Sequence, residues 1–489
     1  MEGLTVRKYL VKLGYNPPED TVYSHIMEWQ EWYQGDVEKF HKYKVWNGVS
    51  VKEENRYQLG MAKKACEDWA NLILNEKVSI KAGTYEKRLN EIMGCNNFRV
   101  KGNQLIELSF ALGTGAFVEY LEKGGIAIDF IRADMIYPIS WENGEITECA
   151  FGSCRTGKDG EFIYLQIHRK GKAAGDGESP DSYYIENHYV DAESGEEKAL
   201  PEGMLEKVDT KSPSPLFQII TPNICNNIDL DSPMGISVYA NSIDQLKGCD
   251  LIYDSYINEF VLGKKRILVP ISLAKMEMQK DGVTSPVFDP DDNVYYQMPA
   301  DRTDDNKPIE IDMNIRAQDH ELGLQRALDL YSFKCGLGTG RYQFQSPGVK
   351  TATEVVSDKA DLFQNLKKNE IVIRTAIINM VKAVAFLDIG GISDEVSVDF
   401  DDSIIEDSNA VIDRNIKLVQ SGLRSKLSAI MEIGKCSEES AKKEMGKIAE
   451  DNRITGQEID WTDMEEKEEK KVGFRMEAAD DDTGESGNS

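Results

Sequence analysis

The sequence predicts an α+β fold, and three observations predict it. Between Ser232 and Gly390 the pattern runs helix, β-rich insertion, helix, glycine-rich loop and very long helix. Between Ala116 and Val190 the apolar period drops to two. The 489 residues, of which 40% are hydrophobic, exceed one ordinary core and imply two or more modules.

Within the helical stretch, Tyr239, Ile243, Leu246, Tyr253, Ile257 and Phe260 recur at steps of four and three, and only Asp250 breaks the seam. Such spacing puts one apolar stripe down a helix over residues 232–263. The insertion, residues 264–314, opens where Ile267, Leu268, Val269 and Pro270 read as a strand, and Asp281-Gly282 and Asp289-Pro290 mark turns. A second helix over residues 315–336 stops at Gly336, with Gly338 and Gly340 following. After the loop 337–350, Thr351-Ala352-Thr353-Glu354 has capping-box spacing. The helix it opens runs to Leu387 without glycine or proline, about 54 Å at about 1.5 Å per residue. A strand at Glu395 to Phe400 closes the segment 351–400.

Residues 1 to about 110 read as mainly helical, with Trp29, Trp32 and Tyr33 clustered. A helix from Arg56 to Leu74 is expected to bury Leu59, Ala62, Cys66, Trp69 and Leu72. Ile126, Ile128 and Phe130 then alternate after Gly124-Gly125, and Asn143-Gly144 is a hairpin signal. Residues 161–168 and 183–190 continue a β-meander. After residue 400 the period is helical again. Ile412, Ile416, Val419 and Leu423 form one stripe, and Ala441, Met445 and Ile448 form another behind a cap at Ser437. Residues 457–489 are acidic and poor in apolar side chains, which predicts disorder.

The order of elements, with GVKTATEVVSDKADLFQNLKKNE at Gly348 to Glu370 and MAKKACEDWANLILNEKVSI at Met61 to Ile80, resembles phage portal proteins. The likeness is to those of long-tailed double-stranded DNA phages of Gram-positive hosts. It implies a wing over residues 1–231, a first stem helix over 232–263 and a clip over 264–314. A second stem helix over 315–336, a tunnel loop over 337–350, a long wing helix and strand over 351–400, a crown over 401–456 and an acidic tail over 457–489 complete it. The family implies a self-assembled ring, twelve-fold, at one capsid vertex of the virion, made in the host cytoplasm. Double-stranded DNA passes through it without sequence specificity during packaging and ejection. Implied partners are terminase, major capsid and scaffolding proteins and a head-tail adaptor, with no cofactor, no enzymatic activity and no membrane.

The same resemblance places Arg341, Tyr342, Gln343, Phe344 and Gln345 in the tunnel loop that meets DNA. On the residues alone, that loop is an ordinary helix connection. Asp244, Asp250 and Asp254 are expected to present negative charge to the channel, and Ile243, Leu246, Tyr253 and Ile257 to pack between helices, within or between subunits.

With 85 acidic against 57 basic residues, the net charge of −28 opposes a tight grip on nucleic acid through counterion release. It fits general solubility, or a surface that faces DNA without holding it. No run reaches the roughly 18 apolar residues of a membrane span. The eight cysteines contain no Cys-x-x-Cys pair and read as reduced thiols.

Other constellations are weak. Asp289, Asp291 and Asn293 copy the start of a calcium loop, but Val294 and Ala300 stand where glycine and glutamate are needed. Gly336, Gly338 and Gly340 lack the lysine of a phosphate loop. The five histidines have no zinc spacing. Asp399, Asp401, Asp402, Glu406 and Asp407 supply carboxylates enough for a metal-dependent nuclease, the rival function, although a helix start explains them as well. A helical scaffold binding a partner along its seams is the third reading.

Overall fold

The computed structural model describes residues 2–46, 50–76, 78–122, 124–157, 160–172, 178–263, 266–270, 276–278, 284–286, 295–298, 309–311, 314–344, 359–400, 408–434 and 438–455. They divide into two compact units, one built from residues 1–349 and 357–400 and the other from 350–356 and 401–489.

The first unit begins with α1 (Glu2–Lys12), α2 (Asp20–Gln34) and the single turn α3 (Glu38–His41). A hairpin that the helical reading of this region missed follows, β1 (Lys42–Trp46) and β2 (Val51–Asn55), paired antiparallel with Trp46 opposite Val51. Helix α4 (Met61–Ile73) starts later than the periodicity implied, because Gly60 turns left-handed at φ 69° and Met61 opens the helix. Ala62, Cys66, Trp69 and Leu72 are buried on it as expected. Strand β3 (Ser79–Lys81), α5 (Glu86–Cys95) and α6 (Phe98–Leu112) complete the helical start.

The meander is antiparallel throughout. Strands β4 (Gly115–Glu122) and β5 (Gly125–Arg132) form one hairpin. Strands β6 (Ile136–Glu142), β7 (Glu145–Gly157), β8 (Gly160–Lys170) and β9 (Tyr183–Asp191) run side by side, and the free edge of β9 is shared by β10 (Glu197–Lys198) and β11 (Lys207–Asp209). Asn143 and Gly144 turn the β6–β7 hairpin, both at positive φ, as the Asn-Gly pair predicts. Strand β12 (Phe217–Ile220) adds to β4 on the side away from β5.

Two chain segments cross where α6 ends. A Cβ on Gly113 would lie 2.5 Å from the Gly235 carbonyl oxygen, and one on Gly235 would lie 2.3 Å from that of Gly113. Only paired glycines allow backbones this close, and they fix where the chain enters the helical stretch.

That stretch contains α7 (Ile243–Leu262), β13 (Arg266–Pro270), β14 (Met276–Met278), β15 (Thr284–Pro286), β16 (Tyr295–Met298), β17 (Ile309–Ile311), α8 (Ala317–Lys334) and α9 (Ala360–Ile389), closed by β18 (Ser397–Asp399) against β3. Helix α7 begins eleven residues after the expected start at 232, since an irregular segment and a 3-10 turn at Ala240–Ser242 precede it. Strand β13 pairs parallel to β16 and antiparallel to β17, so the insertion returns beside its own exit. Helices α7 and α8 run antiparallel: Arg316 before α8 meets Glu259 near the end of α7, and Gly323 faces Ile252 further back. Helix α9 packs across β12 and β4 and buries Leu366, Ile373, Ile377, Met380, Val381 and Val384. It ends at left-handed Gly390, as a glycine C-cap does. The capping box at Thr351 to Glu354, the calcium-loop candidates Asp289, Asp291 and Asn293, and residues 457–489 lie outside the described residues.

The second unit holds α10 (Ser408–Gln420), α11 (Lys426–Gly434) and α12 (Glu438–Thr455), in contact in that order. Glu432 of α11 takes Arg414 at 2.5 Å and also Arg424, and Ala429 and Ala441 are buried.

One buried group of the first unit carries a pH dependence. Glu119 of β4 is fully buried, and neither carboxyl oxygen has a hydrogen-bond partner. Burial pushes its pKa up to about 8. Unfolded, a glutamate titrates near about 4.3, so between these values the folded chain binds the extra proton and stability falls as pH rises. Below that window Glu119 is neutral in both states. Glu119→Gln removes this penalty. Its melting temperature should overtake that of the native chain progressively from about pH 5 to about pH 8. A constant offset across that range would show that Glu119 does not titrate there.

Candidate functional site

The helix pair α7–α8 and the loop after it carry the expected functional residues. At its upper end the pair is sunk into the helical start. The Trp69 indole N–H donates to the Cys335 carbonyl at 3.1 Å, and the Tyr331 hydroxyl donates to Met61 O at 3.0 Å. Tyr239, which lies before the helix rather than on it, is fully buried and donates to Trp29 O at 2.7 Å. At the lower end Arg316 grips Glu259 with two side-chain bonds of 3.0 and 2.9 Å, and His320 approaches the same carboxylate at 3.6 Å. The guanidinium holds the Glu259 carboxyl well below the usual carboxylate range.

Two of the three aspartates expected on a channel wall are enclosed in the body. Asp250 is only 4% exposed, taking His41 Nε2 at 3.1 Å on one oxygen and the Leu59 N–H at 2.8 Å on the other. Asp254 is 7% exposed and accepts from the Tyr57 N–H at 2.9 Å and from Asn258 at 3.1 Å. These carboxylates satisfy backbone donors of an irregular segment that has no strand or helix partner of its own, which is why they point inward. Burial raises the Asp250 pKa above its ordinary value, against its bonds to Leu59 and His41. Asp244 alone keeps an exposed side chain, beside Lys247 at 3.4 Å.

Of the seam, Leu246 is buried, whereas Ile243, Tyr253 and Ile257 are half-covered and Phe260 is exposed. The break in periodicity at Asp250 was the one sequence signal of the buried carboxylate. His41, its partner 209 residues away, left none.

The loop after α8 folds back on the chain before it extends. Gly336, Gly338 and Gly340 all take positive φ, and two of their carbonyls are used: Ser332 donates to Gly338 O at 2.6 Å and Asn365 to Gly336 O at 3.0 Å. Arg341 pairs with Asp68 at 3.3 Å, beside Lys64 at 2.7 Å. Burial opposes ionisation of Asp68, but the two cations outweigh it and hold its carboxyl below the usual value. Tyr342 is half-buried with its hydroxyl enclosed, and burial beside the Asp68 charge pushes the phenol well up. Arg341 and Tyr342 therefore anchor the loop, while Gln343 and Phe344 extend from it, Phe344 75% exposed. Gln345 lies outside the described residues.

For the nuclease constellation, Asp399 is taken by Lys81 at 2.6 Å, and Asp401, Asp402, Glu406 and Asp407 lie outside the described residues. Among the described residues no group of three potential metal ligands occurs, no helix is long and apolar enough to cross a membrane, and no disulfide joins two cysteines.

An antiparallel helix pair sunk into an α+β body, with a β-insertion at its far end and a glycine-jointed loop leading to a long helix, is the class of fold at hand. The chain belongs to the family described as Phage portal protein, SPP1 Gp6-like, whose model matches residues 16–458. This family is structural and non-enzymatic. No curated protein matches. Among solved structures, the chain is similar to one in the virion of a native gene transfer agent particle, at 11% identity and a TM-score of 0.38, over 86% of this chain and 95% of that one. It is also similar to one in the neck of an empty particle of that kind (11%, TM-score 0.37, 86% and 95%). A third is in the neck of a native particle computed with C12 symmetry (10%, TM-score 0.36, 77% and 90%).

The Asp250 site is testable by itself. Asp250→Ala strands the Leu59 N–H and His41 inside, which costs on the order of 3 kcal/mol. The expected result is a lower melting temperature together with rapid proteolytic cleavage between residues 42 and 60. Unchanged proteolysis would mean that the segment is held some other way.

Proposed function

We propose that the chain is a portal subunit of a long-tailed double-stranded DNA phage of a Gram-positive host. Copies of it, twelve in the family, close a ring at one capsid vertex, through which DNA is packaged and ejected. The outer faces of that ring dock terminase, capsid and scaffolding proteins and the head-tail adaptor. Membership of the portal family over residues 16–458 is the observation that carries this reading. The helix pair supports it. Leu251, Leu262, Leu322, Leu330 and Phe333 are exposed along α7 and α8, apolar side chains that neighbouring subunits of a ring would cover.

The channel works by not binding. A chain of net charge −28 repels phosphate, so a duplex meets no ladder of counterion-releasing contacts and slides. On the helix pair Asp244 is the aspartate placed to add to that repulsion. Contact with DNA falls to the tip of the loop, where Phe344 supplies van der Waals touch and Arg341, held by Asp68, supplies little free charge. Electron microscopy of the purified protein tests the ring: closed rings with a central hole are expected, and monomers alone would sink the reading.

The loop separates stability from function. Replacing Gln343 and Phe344 with serine removes exposed side chains and leaves the Arg341–Asp68 pair and the Tyr342 packing intact. Melting temperature and ring size should be unchanged, surface substitutions being worth within about 0.5 kcal/mol. Nuclease-protected DNA per assembled particle is expected to fall severalfold. Native levels would reduce the loop to a connection between helices.

A further inference from the structure

Strands β1 and β2 stand out as a two-stranded sheet with almost nothing covering them. All five residues of β2 and four of five in β1 are exposed. Trp46, 64% exposed, and Val51, 58% exposed, sit opposite each other at the far end. An isolated hairpin is marginal in water, and open strand edges and a bare tryptophan are usually avoided. Yet the base of this hairpin is built with care. Arg56 lies over the rings of Phe40 and Tyr43, and Asp250 and Asp254 bind the chain just after it through Leu59 and Tyr57. Such an anchor aims the far end at something.

A recess with an apolar floor lies on another side of the same helix pair. Leu251, Ile252 and Ser255 of α7 meet Arg316, Asp319, His320 and Gly323 around a groove of about 390 Å³, apolar on the α7 side and charged along its α8 rim. Leu251 is half-exposed, and Gly323 has no side chain to fill the floor, where even a Cβ would touch only Ile252, at 3.9 Å. At about 100° per residue, the groove face of α7 is roughly 130° round the helix from the face carrying Asp250 and Asp254. Each copy therefore presents an exposed apolar hairpin end on one side of α7 and, on another, a groove with an apolar floor and a charged rim. Two different patches on separate sides are what a head-to-tail contact between identical chains requires.

We propose that β1–β2 of one copy docks against the α7–α8 groove of the next, with Trp46 as its anchor beside Leu251 and the Arg316 guanidinium. Buried tryptophans in such pockets carry a large share of interface energy, and an arginine against the ring adds cation–π attraction. This rests on the ring reading and assigns its contact to particular residues.

The test is a cysteine pair, Trp46→Cys with Leu251→Cys, in a chain whose Cys95, Cys154, Cys225 and Cys436 are replaced by serine. Mild oxidation of the assembled protein should give a ladder of covalent dimers, trimers and larger forms on a non-reducing gel, and neither single variant should. Native-size rings by electron microscopy without a ladder overturn the docking and leave the ring standing. A parent chain that forms no rings overturns both. As a second measurement, Trp46→Ala should lower the ring fraction at limiting protein concentration at least tenfold, with Trp46→Phe recovering most of it, while the melting temperature of the dissociated chain stays put. Rings of Trp46→Ala that survive dilution like the parent would leave the hairpin free for a different virion protein and count against the proposal.

Discussion

The buried carboxylate of Asp250 is the constraint on which the helix pair depends. One oxygen takes His41 and the other the Leu59 N–H, so a single side chain of α7 ties together the end of α3 and the approach to α4. Asp254, one turn further on, repeats the device with Tyr57. The segment between residues 56 and 60 belongs to no strand or helix, and its donors must be satisfied from outside. A carboxylate does this more strongly than a neutral group, at the cost of burying charge. The chain accepts that cost where α7 enters the body and uses apolar side chains and ring hydroxyls elsewhere, as with Leu246, Tyr239 and Tyr331.

This arrangement takes the negative charge of Asp250 and Asp254 off the surface of α7, where a channel wall would need it. With Asp250 and Asp254 enclosed, Asp244 is what remains of the proposed acidic wall on α7. In the proposed ring, repulsion of DNA would then rest on the whole chain's excess of acids rather than on one helical row. A diffuse field of that kind is weaker at any point and smoother along the path. A sliding duplex needs smoothness more than depth, because each discrete attractive or repulsive step becomes a barrier to translocation.

What could be read from the sequence followed the strength of the periodic signal. The β-meander, the Asn143-Gly144 turn, α8 and the glycine that ends α9 were legible because period, turn chemistry and capping agreed. The hairpin 42–55 was not. Lys42, Lys44, Lys52, Glu53 and Glu54 alternate with few apolar residues, since neither face packs on the body. The start of α7 was misplaced because Tyr239 continues the apolar spacing while serving the core from a non-helical position. Pairings such as Asp68 with Arg341 join residues hundreds of positions apart, and no single-sequence pattern encodes them.

The geometry of α7 bears on whether a ring can close. In a ring of twelve, the two contact faces of a subunit point about 150° apart, the remainder of a half-turn after one about 30° step. If α7 runs along the axis of the proposed ring, the roughly 130° between its hairpin face and its groove face becomes the angle between the two contacts. The shortfall of about 20° is small against the reach of a five-residue strand, about 17 Å. An interface built on opposite sides of one stiff helix fixes that angle more tightly than one built on two loosely joined bodies. The Asp250 and Asp254 bonds, by setting the hairpin on α7 itself, would thus set the rotation between neighbours as well as the fold of each.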